Sequence, residues 1–148
     1  MKKYGLVSQE DEWGCGAACV ASLLGVSYRK AKKLVEIVKE APIDEGQDRP
    51  GPGPGLELHH IAIALHDAGV KVIADWYPAE IPDGSIVCIG GDWPYDNDHY
   101  ILKTPNGWMD PCYDLKKKNM VARYRKDYPE GTDFLVALVP VSASQFIG

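Results

Sequence analysis

Between Trp13 and Leu24 nearly every position is apolar or small: Gly14, Cys15, Gly16, Ala17, Ala18, Cys19, Val20, Ala21, Ser22, Leu23. A helix that is apolar almost all round belongs inside a domain, so this segment predicts a buried helix rather than a surface one. Its small residues let other elements pack very close, and Gly25 supplies a stop. A chain of 148 residues is long enough to enclose such a helix. At that length a single domain buries roughly 68–70% of its unfolded surface and needs no disulfide or metal to fold.

The elements around it follow from periodicity. Ser27 can cap a second helix from Tyr28 to about Lys39, with Ala31, Leu34, Val35 and Val38 as its apolar stripe. A third helix spans about Leu56 to Ala68, with Leu58, Ile61, Ala62 and Leu65 on one face and Gly69 at its end. Between them, Gly46 to Gly55 alternates proline and glycine, which supports neither helix nor ladder. We read it as an exposed loop within one domain, placed to act as a lid. The remainder reads as strands: Val70–Ala74, Ser85–Ile89, His99–Lys103 and Phe134–Val139. Pro82-Asp83-Gly84 and Pro105-Asn106-Gly107 are turn signals, and the second predicts Trp108-Met109 as the hairpin partner of His99–Lys103. Helices first and strands afterwards indicate an α+β domain over residues 1–148, its helices packed on a mostly antiparallel sheet.

The formal charge of −5 argues against a nucleic-acid partner, which selects for a basic face. No apolar run reaches the length of a membrane span, and no apolar stretch follows Lys2-Lys3 as it does in a signal peptide. The expectation is a cytoplasmic chain with four free thiols, Cys15, Cys19, Cys88 and Cys112.

The chemistry concentrates in two stretches. Cys15 lies between two glycines at the start of the buried helix. A helix N-terminus carries partial positive charge and free N–H groups, both of which favour thiolate, the nucleophilic form. Gly14 and Gly16 leave the sulfur uncovered. Gln9 carries a side-chain amide able to donate to a developing oxyanion. Cys19, one turn further on, reads as a packing residue. In the second stretch His99 opens an apolar strand, and the hairpin return brings Asp110 close to it. Thiolate, imidazole and an orienting carboxylate make a nucleophilic triad.

In this order the parts resemble the C39 peptidase family and its papain-like cysteine peptidase relatives. The residues that carry the likeness are Gln9, Cys15-Gly16-Ala17-Ala18, His99-Tyr100-Ile101-Leu102 and Asp110-Pro111, and it spans about residues 9 to 140. The resemblance implies a papain-like fold and a peptidase in which Cys15 is the nucleophile, His99 the general base and acid, Asp110 the orienter and Gln9 the oxyanion donor. It implies no cofactor and no metal. Typical members are fused to a transporter and cleave a double-glycine leader. This sequence has no membrane segment, and Trp13-Gly14 replaces the acidic residue often found before the cysteine. Peptide or isopeptide bonds are the first expectation for the substrate, a peptide or protein, with other amides or acyl transfer as alternatives.

Other readings compete for the same residues. A zinc site could draw on Cys15, Cys19, Cys112, His59, His60, His66 and His99, but no second pair matches the Cys15/Cys19 spacing. A catalytically silent peptide-binding module would keep the fold, and a Cys-dependent acyltransferase would use the same thiolate. Six acidic residues and no Lys or Arg lie from Asp75 to Asp98, with Glu10, Asp11 and Glu12 before the cysteine. They read as a solvated loop, or as a negative rim for a cationic substrate segment. Lys116–Lys118 with Arg123, Arg125 and Lys126 read as a solvated basic face or a partner surface.

Overall fold

The computed structural model describes residues 2–40, 58–117 and 119–141. The Pro-Gly segment Gly46 to Gly55, the predicted start of the third helix at Leu56, and Lys118 lie outside them. Among the described residues, three helices precede the sheet: α1 (Cys15–Leu24), α2 (Tyr28–Glu40) and α3 (Leu58–Asp67). Every residue of α1 from Cys15 to Leu23 is buried, as its all-round apolar sequence requires. Gly25 ends it in the left-handed region at φ 70°, where its N–H and that of Val26 bond back to Ser22 and Ala21. Ser27 caps α2, its Oγ accepting from Lys30 N at 3.2 Å.

Six strands of the described residues form one antiparallel sheet: β1 (Val72–Asp75), β2 (Ile86–Gly91), β3 (His99–Thr104), β4 (Gly107–Asp110), β5 (Arg123–Arg125) and β6 (Thr132–Pro140). Their order is β1-β6-β2-β3-β4-β5, so the last strand inserts between the first two. The α+β class is therefore as the sequence indicates. The hairpin also has the predicted pairing, with Leu102 opposite Met109 and Lys103 opposite Trp108. The sequence reading lacked β5, whose Arg-Tyr-Arg holds too few apolar residues to register as a strand.

The helices cover one face of the sheet. α1 packs on β3 and β4, α2 on α1, and α3 on α1 and β1. The main core lies between these layers and includes Val20, Val35, Ile61, Leu65, Ile86, Leu102, Met109 and Leu138. Burying each such aliphatic side chain contributes about 1.5–3 kcal/mol. A smaller core of Val87, Ile89, Ile101, Trp108 and Ala137 occupies the other face, flanked by Ile81, Tyr128, Phe134 and Val139. Period-two alternation along the strands feeds both cores. Ahead of α1, the N-terminal segment is sewn to the sheet end. Gln9 N donates to Pro111 O at 3.2 Å, Ala122 N to Ser8 Oγ at 2.9 Å, and Tyr124 Oη to Tyr4 O at 2.6 Å.

Candidate active site

Cys15 is the first residue of α1, and the helical ladder begins with Ala18 N donating to Gly14 O at 3.0 Å. The N–H groups of Cys15, Gly16 and Ala17 precede that ladder, at the positive end of the helix. Gly14 is glycine for a reason the sequence did not disclose. A Cβ there would stand 2.0 Å from the Tyr28 hydroxyl oxygen, so the gap beside Gly14 is filled by α2 rather than left for substrate. Tyr28 Oη donates to Asp11 Oδ2 at 2.7 Å, and Lys32 Nζ lies 2.9 Å from the same oxygen. Helix α2 thereby holds the loop that leads into Cys15.

His99 and Asp110 are the first residue of β3 and the last of β4, both at the open end of the hairpin. His99 Nε2 stands 2.7 Å from Asp110 Oδ1. Cys15 and His99 line one cavity, and Cys15 is near enough to favour the charged imidazole. Burial alone disfavours the imidazolium. The hydrogen bond to Asp110 and the negative charge of Asp110 and Cys15 outweigh it and push His99 up from 6.5 to about 10. Burial likewise works against the Asp110 carboxylate, but His99 and Arg125 hold its carboxyl below the usual range. The structure thus bonds His99 to Asp110 and brings Cys15 to the same cavity as His99.

Asp110 is fully buried and accepts from three donors: His99 Nε2 at Oδ1, Cys112 N at Oδ1 (3.0 Å), and Arg125 Nε at Oδ2 (2.7 Å). The Arg125 side chain is only 15% exposed, donates a second bond to Tyr113 O, and stacks with its guanidinium carbon 4.0 Å from the Tyr113 ring centroid. This corrects the sequence reading, which gave Arg125 to a basic face, either solvated or for a partner. The only sequence signal was the alternation Ala122-Arg123-Tyr124-Arg125, which places Tyr124 against the core. Of the remaining basic residues, Lys116 and Lys117 are exposed, as are Arg123 and Lys126.

Gln9 also reaches the site, buried and lining the same cavity as Cys15 and His99. Its amide is turned from the role the resemblance implied. Nε2 donates to the carbonyls of Asp11 and Glu12, each at 3.0 Å, while Oε1 is buried without a hydrogen-bond partner. Both amide hydrogens brace the loop, so an oxyanion here would first meet the backbone N–H of Cys15.

The cavity has a volume of about 510 Å³, with Trp13, Trp93, Leu115 and Met120 as its apolar walls. Glu12, Asp96 and Asp98 add negative charge, and Lys116 lies 5.9 Å from the Trp93 ring centroid. The other three cysteines are held as thiols. Burial pushes the Cys19 thiol well up, Cys88 to about 12 and Cys112 to about 11, with nearby negative charge adding to each. His59 and His66 are exposed, His60 is buried, and His66 Nε2 accepts from Val72 N at 3.2 Å. Among the described residues, no three His, Cys, Asp or Glu side chains are grouped to hold a metal ion. No helix among them is long and apolar enough to cross a membrane.

Fold and site together define an α+β protein with a buried Cys-His-Asp set opening on a cleft. No family model matches the chain, and no curated protein sequence does.

Proposed function

We propose that the chain is a cysteine hydrolase of papain-like fold, resembling the C39 peptidases, that cleaves a peptide or related amide bond. The observation that carries this reading is the imidazole of His99, hydrogen-bonded to a buried carboxylate and sharing one cavity with Cys15, the first residue of a helix. In this reading the Cys15 thiolate attacks the carbonyl carbon, and the N–H groups of the first helical turn stabilise the oxyanion. His99 gives its proton to the leaving nitrogen as the C–N bond breaks. Water, deprotonated by His99, then cleaves the thioester, releasing the acid and restoring the thiolate–imidazolium pair. Asp110 keeps the imidazole oriented and stabilises its cationic form. The cleft accepts an extended peptide between Trp13 and Trp93, and the carboxylates of Glu12, Asp96 and Asp98 favour a cationic segment beside the scissile bond.

The engaged amide of Gln9 favours a second reading, a binding module that keeps the fold without turnover. Two measurements separate them. With iodoacetamide at pH 5–6, Cys15 alkylates faster than Cys19, Cys88 or Cys112, and His99→Ala abolishes the advantage. With an activated acyl ester, intact mass shows an adduct on Cys15 that decays in water. Equal labelling of all four cysteines, or an adduct that never forms, defeats the enzyme reading. Decay that requires an added amine assigns an acyltransferase instead.

A further inference from the structure

We infer that Arg125 is a positioning residue of the active site, closing a four-member charge chain with Asp110, His99 and Cys15 whose net charge is zero. The inference rests on the hydrolase reading and deepens it. Arg125 approaches Asp110 from β5, the edge strand, on the side opposite His99. Its Nε reaches Oδ2 while His99 Nε2 and Cys112 N share Oδ1. The carboxylate is therefore fixed in rotation, with each oxygen assigned to its own donors. The guanidinium is itself fixed by the Tyr113 carbonyl and ring. A planar fork with directed N–H groups suits this two-point hold in a way a lysine ammonium does not.

The electrostatic consequence follows from counting charges. In the reactive state Cys15 is an anion, His99 a cation, Asp110 an anion and Arg125 a cation. Remove Arg125 and one buried negative charge is uncompensated. A buried site relieves an uncompensated charge by taking up a proton. The other titratable groups facing the set do not offset this. Cys19 faces it from α1, Cys88 from β2, Tyr95 from the loop before β3, and Cys112 from the loop after β4. All four have their acidity suppressed by burial and by nearby charge. Asp114 on the loop after β4, and Glu12, Asp96 and Asp98 on the cavity wall, carry the wrong sign to replace Arg125. Arg125 thus holds the thiolate–imidazolium pair against protonation at mildly acidic pH.

The test is the rate of Cys15 alkylation by iodoacetamide between pH 4 and 9, followed by peptide mass spectrometry, in the full chain. For Arg125→Met the acid limb of the profile moves up by about one pH unit, a tenfold rate loss on that limb. Arg125→Lys restores the charge without the fork. Its acid limb stays near that of the unsubstituted protein, and its plateau rate falls. If Arg125→Met does not fold, Arg125→Lys decides through the plateau. ¹⁵N resonances of His99 supply an independent readout, since loss of the fixed carboxylate changes the protonation of Nε2. Profiles and resonances identical to the unsubstituted protein in both variants overturn the inference and leave the hydrolase reading intact. Absence of any Cys15 advantage in the unsubstituted protein overturns both.

Discussion

Replacing Gly14 by alanine tests how α2 holds the loop that leads into the nucleophile. The new Cβ would lie 2.0 Å from Tyr28 Oη, 3.0 Å from Tyr28 Cζ and 3.2 Å from Asp11 O. No rotamer choice relieves a Cβ, so either the tyrosine or the loop must move. Overpacking of this kind costs about 1–3 kcal/mol. Displacing Tyr28 also strains its 2.7 Å hydrogen bond to the Asp11 carboxylate. A hydrogen bond to a charged group contributes about 1.5–3 kcal/mol, and the lower part of that range applies because half-exposed Asp11 is partly solvated. We expect Gly14→Ala to cost about 2–4 kcal/mol in all. Tyr28→Phe removes the atom that makes the closest contact. In that background the nearest remaining neighbours are at 3.0 and 3.2 Å, and the alanine should cost only about 1–2 kcal/mol. The double-mutant cycle should then show a coupling of about 1–2 kcal/mol, measured by urea unfolding. Cys15 alkylation should slow in Gly14→Ala and recover in the double variant. A cycle that closes to within about 0.5 kcal/mol would refute the steric argument.

Two further outcomes follow from the buried charges. Asp110→Asn places an amide N–H₂ against a donor whichever way it is turned, because Arg125 faces one oxygen and His99 with Cys112 N faces the other; it should destabilise by about 3–5 kcal/mol in denaturant melts and remove the alkylation advantage of Cys15. A group whose pKa is raised on folding stabilises most below its unfolded value, so the contribution of His99 is complete below about pH 6.5 and fades as pH climbs towards about 10. The melting temperature should fall over that window more steeply than in His99→Gln, and parallel curves would contradict the ion-pair assignment.

The sequence by itself determined the local structure and most of the site. The continuous apolar run after Trp13 required a buried helix, and α1 is buried from Cys15 to Leu23. The Pro105-Asn106-Gly107 turn fixed the hairpin that brings the ends of β3 and β4 together, and with them His99 and Asp110. These features are legible because their causes are local: periodicity, capping and turn chemistry act within a few residues. What the tertiary structure alone decided is which distant groups complete them. Arg125 looks like any exposed base until β5 adds to β4 and turns it onto a buried carboxylate. Gly14 looks like a means of leaving the Cys15 sulfur uncovered until Tyr28 of α2 fills the gap beside it. Gln9 looks like an oxyanion donor until the loop carbonyls of Asp11 and Glu12 claim its amide. Insertion of β6 between β1 and β2 has no local signature either. Such pairings depend on the free energy of the whole packed arrangement, in which each buried polar group takes the partner that folding brings within reach.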